Sequence, residues 1–220
     1  LDVLDVILKN KDPAWILNNL PNIQSMLDKS LRVDHHDIQE VLQKVLNTIL
    51  KTIKQEESTF ESEEETVGKN FVATLSSIIA EDLQGTSSVA AGVTLTWTLF
   101  MHFPQSIDSL LPAIMKTFSK LCKDHLATSQ PKDAAALEEA KITTKLLEKI
   151  FYLLSMKVSS LGDARRPFLS TVALLIDRSM DQQFLKKIVA ISRNWVFANE
   201  IFPTVKEKAA ILTKMLAFEV

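Results

Sequence analysis

The chain has 220 residues, of which 46% are hydrophobic and 24% are charged, so it is long enough to bury a substantial core. Its four glycines and seven prolines are too few for the turns of a many-stranded all-β fold. A net charge of −2 argues against a protein that binds nucleic acid directly. We therefore expect an all-α protein.

Neither a signal peptide nor a membrane-spanning helix is indicated. The longest uncharged span, 83–107, contains an apolar stretch of only thirteen residues, 89–101, whereas a spanning helix needs about 20. The single cysteine, Cys122, has no partner for an internal disulfide, which is compatible with a reducing compartment. Because the chain begins without methionine and ends directly after an amphipathic pattern, we expect a segment of a larger protein.

Apolar residues recur at three- and four-residue steps through most of the chain, which is the pattern of amphipathic helices. The clearest stripe includes Ile38, Leu42, Val45 and Ile49. Similar stripes follow in 71–83, 107–126, 137–154, 168–176, 185–196 and 205–216. Together they predict roughly nine or ten helices, and the short connections between them make consecutive helices antiparallel.

The spacing of the predicted helices favours a repeat architecture. Two-helix units recur about every 40–47 residues, as in HEAT or armadillo repeats, each of which buries its apolar face only by stacking on the next. Residues 1–220 are therefore predicted to form a single HEAT-like segment of a larger solenoid. Since no strict repeat consensus is visible, a closed helical bundle remains the alternative.

Charge is distributed unevenly along the chain. Residues 1–110 contain 8 basic and 16 acidic residues, a net charge of −8, whereas residues 111–220 contain 17 and 11, a net charge of +6. Within the acidic part, residues 55–66 (QEESTFESEEET) include six glutamates and no basic residue, which predicts a solvated, mobile loop.

Several kinds of enzyme are excluded by their motifs. The glycines are too widely spaced for a P-loop, a dinucleotide fingerprint or a Gly-x-Ser-x-Gly elbow, and no kinase catalytic-loop motif occurs. Cys122 and His125 have a spacing that suits a metal, but a core thiol beside a surface imidazole is the favoured interpretation. We therefore predict no catalytic residue, no cofactor and no metal site, and we expect Trp15, Trp97 and Trp195 to pack inside the helical array.

Eight cations of the basic half are the candidate binding residues. Three lie on one predicted helix face, three on another, and two stand next to Pro167 at a predicted helix start, where they oppose the helix dipole. They are Lys116, Lys120, Lys123, Lys186, Lys187, Arg193, Arg165 and Arg166. An ordinary solvated surface explains such residues as well, but the charge asymmetry favours an acidic partner.

Four stretches of the basic half resemble the TRRAP family of transcription scaffolds, and its fungal member most of all. They are FSKLCKDHL (118–126), TKLLEKI (144–150), RRPFLSTVALLIDRSMDQQFLKKIV (165–189) and FPTVKEKAAILTKMLAFE (202–219). The resemblance implies a HEAT-repeat solenoid whose kinase-like domain, outside this chain, is a pseudokinase. It assigns no functional role to any numbered residue.

The resemblance also implies a function. Members of the family are nuclear subunits of SAGA and NuA-type histone acetyltransferase complexes, where the helical repeats receive acidic transcriptional activators. We therefore expect a non-catalytic coactivator scaffold whose partners are acidic activators and other subunits, with no membrane contact. A purely architectural segment that contacts other subunits is the alternative, whereas a kinase lobe or an importin-like carrier fits the sequence less well.

Overall fold

The computed structural model describes residues 1–33, 35–56, 62–85, 89–127, 133–196 and 205–218. Within these ranges all regular secondary structure is helical, with eleven α-helices and three short 3-10 helices, which confirms the all-α class. The number is slightly above the nine or ten expected, because Pro13 and Pro21 each stand near the start of a separate helix in the first 31 residues. None of the described helices is long and apolar enough to cross a lipid bilayer.

The chain divides into two compact units, residues 1–113 and 114–220. We call them the first unit and the second unit. This division does not test whether residues 1–220 form one continuous segment, which stays a prediction.

The first unit contains six α-helices and a 3-10 turn at Asp108–Leu110. The helices are α1 (Asp2–Asn10), α2 (Pro13–Asn18), α3 (Leu20–Leu31), α4 (His36–Glu56), α5 (Ser62–Gln84) and α6 (Val89–His102). The short α2 is fixed at its start by the Asp12 carboxylate, which accepts a hydrogen bond from the Trp15 backbone N–H at 2.7 Å. α4 packs against α1 and α6, while α5 packs against α3 and α6.

The core of the first unit is built on α4. Of its predicted stripe, Leu42, Val45 and Ile49 are fully enclosed and Ile38 is half-buried. Trp15 and Trp97 are half-buried, so both are packed but neither is enclosed in the core.

Helices extend into the predicted acidic loop from both sides. Residues 55–56 belong to the end of α4 and residues 62–66 to the start of α5. Glutamate has a high helix propensity, so a run of glutamates is compatible with helix as well as with a loop. The rest of the predicted loop, 57–61, lies outside the described residues.

The second unit is formed by five α-helices, the first of which begins just before the boundary. They are α7 (Leu111–Ala127), α8 (Ala134–Met156), α9 (Arg165–Arg178), α10 (Gln182–Val196) and α11 (Val205–Phe218). Two 3-10 turns, Val158–Ser160 and Gly162–Ala164, connect α8 to α9. α10 packs against α8, α9 and α11, and α11 also packs against α9.

Aromatic rings from four helices form the core of the second unit. Phe118 of α7, Phe151 of α8 and Phe168 of α9 are all fully buried, with ring centroids 5.4–6.5 Å apart. Trp195 of α10 is buried as predicted, 6.2 Å from Phe168. Ring pairs at these distances add specific attraction to the burial of apolar area, so this aromatic cluster fixes how the helices pack.

Candidate protein-interaction surface

The candidate cations of α7 lie on its solvent-exposed face. Lys116, Lys120 and Lys123 are exposed, whereas Ile114 and Phe118 on the opposite side are fully buried. The three-to-four-residue spacing therefore places the lysines as the sequence predicted. None of the three forms an ion pair with another described residue, which leaves their ammonium groups accessible to a ligand.

The candidate cations of α10 are also exposed, but they differ in their partners. Lys186, Lys187 and Arg193 lie opposite the buried face of the helix. The Lys187 Nζ donates to both carboxylate oxygens of Glu148 on α8, at 2.8 and 2.7 Å. Lys187 therefore ties two helices together, while Lys186 points to solvent without such a bond.

The two candidate arginines are the first residues of α9. Arg165 is half-buried and Arg166 is exposed, and Ala164 provides no side-chain cap before them. The chain reaches this position through Gly162, whose φ of +51° lies in the left-handed region that glycine adopts without strain. Two guanidinium groups at the positive end of a helix dipole concentrate positive potential there.

A groove that sequence reasoning missed lies between the end of α7, the first half of α8 and the start of α10. Its volume is about 350 Å³. Leu137, Lys141 and Lys145 of α8 line one side, while Met180 and Phe184 are among the residues of the other. Lys141 and Lys145 are four residues apart in the sequence, and this spacing would have predicted that they share one face of α8.

Lys149 continues this row of lysines one turn further along α8. It is half-buried, and its pKa is lowered because burial disfavours the ammonium and because Lys145 is nearby. The positive charge accessible at the groove is therefore supplied mainly by Lys141 and Lys145, both of which are exposed.

His125 forms part of the wall of the groove, and the expectation of a surface imidazole was wrong. The ring is buried, with Nδ1 3.1 Å from Thr144 Oγ1 of α8 and Nε2 2.8 Å from Ser179 Oγ. Its centroid lies 4.6 Å from that of Phe184. Burial lowers the pKa of His125, partly opposed by Asp181, so the neutral imidazole is favoured.

Cys122 is buried, as expected of a core thiol. Burial raises its pKa, which keeps the sulfur protonated and unreactive. Both ring nitrogens of the neighbouring His125 are engaged with hydroxyl groups. Within the part of the chain that the structure describes, no three histidine, cysteine or acidic side chains are grouped as metal ligands.

The described helices pack against one another around an apolar core in each unit, which defines an all-α protein. Comparison with known proteins specifies the class as a helical repeat, since residues 1–220 match the family described as the Tra1 HEAT repeat ring region. The chain belongs to this family. The HEAT-like class and the resemblance to the TRRAP family are both confirmed.

Two relatives show how closely the chain follows the family. It is 67% identical over 220 residues to the SAGA complex/NuA4 acetyltransferase complex subunit TRA1 of Saccharomyces cerevisiae. It is 30% identical over 230 residues to the SAGA complex/NuA4 acetyltransferase complex subunit Tra1 of Schizosaccharomyces pombe. Each alignment covers 100% of this chain and 6% of the relative, so the chain spans a small fraction of the length of these relatives.

Proposed function

We propose that this chain is a non-catalytic scaffold segment of a coactivator subunit in SAGA and NuA-type acetyltransferase complexes. The supporting observation is 67% identity, over the whole chain, to a protein named as a subunit of both complexes. Such a subunit acts on chromatin, which gives the segment a nuclear location. Its partners are then other subunits of these complexes.

We further propose that the second unit receives acidic transcriptional activators. The observation that carries this proposal is a net charge of +6 over 111–220, with exposed cations on α7, α9 and α10. Attraction between this surface and a disordered acidic peptide raises the association rate and is screened by salt, since the Debye length is about 8 Å at physiological ionic strength. A dissociation constant in the micromolar range, which corresponds to a binding free energy of about −8 kcal/mol, suits a peptide that folds on binding.

Fluorescence anisotropy of a labelled acidic activation-domain peptide, measured across a salt series, tests the proposal. The variant carries Lys116→Glu, Lys120→Glu and Lys186→Glu, because these residues are exposed and their reversal breaks no described ion pair. We expect its Kd to rise roughly tenfold at physiological salt.

A control with the same change in net charge separates a local surface from a general effect of charge. It carries Lys29→Glu, Lys51→Glu and Lys54→Glu, all exposed residues of the first unit. We expect the control to change the Kd much less than the variant of the second unit. Equal losses in the two proteins, or no saturable binding by the wild type, contradict activator binding by the second unit.

An architectural role is the second candidate, and α1 supplies the observation that favours it. Val3, Val6 and Ile7 are 74%, 59% and 38% exposed and stand at i, i+3 and i+4, which makes an apolar strip on the first unit. Replacing by glutamine the two residues of the full-length relative that align with Val3 and Val6 tests this role. Loss of a subunit from the purified complex, with peptide binding unchanged, would assign the segment to architecture.

A further inference from the structure

The groove between α7, α8 and α10 combines an apolar lining with a cationic rim. Leu137 and Met180 are 43% and 74% exposed, so two large apolar side chains border the groove in contact with water. Phe184 and Leu126 continue this lining inward. A volume of about 350 Å³ is at the lower end of the range for ligand pockets, roughly 300–1,000 Å³, and suits one bulky side chain.

Among the residues that line the groove, three lysines (Lys141, Lys145 and Lys187) stand against two acids (Glu148 and Asp181), so positive charge is in excess by one. The carboxylate of Glu148 is engaged by Lys187, and that of Asp181 accepts a hydrogen bond from the Phe184 backbone N–H at 3.0 Å, where it caps α10. On the rim, Lys141 holds only the exposed Glu138, at 2.7 Å, and Lys145 forms no ion pair with a described residue. An acidic ligand therefore meets the ammonium of Lys145 directly, and it reaches that of Lys141 by competing with the exposed carboxylate of Glu138.

The groove is held in shape before any ligand arrives. His125 of α7 hydrogen-bonds with Thr144 of α8 and with Ser179 in the connection between α9 and α10. The Lys187–Glu148 pair joins α8 to α10 on another side. A site whose walls are fixed in advance loses less conformational entropy on binding, which favours affinity.

We propose that this groove is the anchoring pocket for one bulky apolar residue of an acidic peptide segment, whose neighbouring carboxylates contact Lys141 and Lys145. The inference rests on the proposed activator binding and deepens it by naming the pocket and the peptide chemistry. A helical turn presents one apolar side chain and acids three or four residues away on the same side, which matches an apolar groove with lysines on its rim. A nucleic acid matches the lysines but has no aliphatic side chain for Leu137 and Met180.

The experiment measures binding of a labelled acidic peptide that contains one phenylalanine, and of its Phe→Ala counterpart, to the complete 220-residue chain. The groove variant carries Leu137→Gln and Met180→Gln, both at exposed positions, so the fold is retained and is checked by circular dichroism. The matched control is Leu174→Gln on α9, since Leu174 is 40% exposed and does not line the groove. Charge reversal is tested separately with Lys145→Glu.

We expect the groove variant to raise the Kd of the phenylalanine peptide roughly five- to tenfold, as loss of one apolar anchor does. The Phe→Ala peptide should bind the wild type about as weakly as the phenylalanine peptide binds the groove variant. Its Kd should be the same for the wild type and the groove variant. Leu174→Gln should leave both peptides unchanged, and Lys145→Glu should weaken both.

Three outcomes overturn the inference in distinguishable ways. Binding that weakens in the Lys116/Lys120/Lys186 variant but not in the groove variant removes the pocket and leaves activator binding intact. If the phenylalanine and alanine peptides bind with equal affinity, or if a single-stranded nucleic acid binds as tightly as the phenylalanine peptide, the chain recognises negative charge alone. No saturable binding of either peptide overturns the pocket together with the proposed activator binding.

Discussion

The two compact units carry opposite net charge and use different contacts to hold their helices together. The first unit has a net charge of −8, and α5 and α6 approach closely at Gly92. The second unit has a net charge of +6 and is centred on aromatic rings from four helices. The first unit thus includes a helix contact from which side-chain volume has been removed, whereas the second unit fills the space between its helices with large rings.

Net charge does not decide the local electrostatics within each unit. In the negative first unit, burial lowers the pKa of His102, and the positive charges of Lys54 and Lys51 lower it further. In the positive second unit, burial likewise lowers the pKa of His125, but the charge of Asp181 opposes that effect. Desolvation is the largest cause of the lowered pKa of both rings. The further change in pKa comes from the nearest charges and not from the net charge of the unit.

The largest expected effect is removal of the central ring of the second unit. Phe168→Ala should lower the free energy of unfolding of this unit by about 3–5 kcal/mol, because a fully buried ring is replaced by a cavity. Hydrogen exchange resolved by peptide should show lost protection in 114–220 and retained protection in 1–113. The control is Leu174→Ala on the same helix, which should cost far less because Leu174 is exposed. Equal loss of protection in both units would show that they unfold together and would remove the contrast between them.

The corresponding test in the first unit is Gly92→Ala. An added Cβ would lie 3.0 Å from the Asp82 Cβ and 3.0 Å from the Leu83 backbone nitrogen, so α5 and α6 would have to separate. We expect a loss of about 1–2 kcal/mol in urea unfolding, since overpacking outweighs the gain in helix propensity.

Gly68→Ala is its matched control. The Cβ there would lie 3.0 Å from Cγ2 of the buried Ile53, so the tight contact is with one side-chain methyl group and not with the backbone of another helix, and the gain in helix propensity offsets it. A stability close to that of the wild type is expected for this control. If Gly92→Ala were equally neutral, the close approach of α5 and α6 would have no energetic importance.

A smaller effect on stability is expected from a fall in pH. Because the pKa of His125 is lower in the folded state than its unfolded value of about 6.5, the unfolded chain takes up a proton first as the pH falls. Stability attributable to the neutral ring is present above about pH 6.5 and is lost as the pH falls toward the folded-state pKa. Thermal unfolding at pH 7.5 and 5.5 should therefore show a smaller drop in Tm for His125→Gln than for the wild type. An unchanged drop would show that other groups control the acid sensitivity.

The sequence predicted local features well and long-range ones poorly. The burial of Leu42 and Ile188 and the exposure of Lys120 follow from the helical period, which depends only on neighbouring residues. The groove depends on hydrogen bonds from His125 to Thr144 and Ser179, which are 19 and 54 residues away. Periodicity contains no information on which helices meet, so it placed the candidate cations on the correct faces without revealing the groove. Their role in binding activators stays a prediction.

The smallest expected effect distinguishes the ion pairs of the two units. In the second unit, the Glu148 side chain is only 24% exposed and accepts two bonds from Lys187, so Glu148→Gln should cost a few tenths to about 1 kcal/mol. In the first unit, Arg32 and Glu81 are 2.6 Å apart but both are well exposed, so Glu81→Gln should have a smaller effect, abolished by high salt. Urea unfolding of both variants at low and high salt checks the difference. If Glu81→Gln proved more costly than Glu148→Gln, neither the partial burial of Glu148 nor its two bonds from Lys187 would make the second-unit ion pair the stronger one.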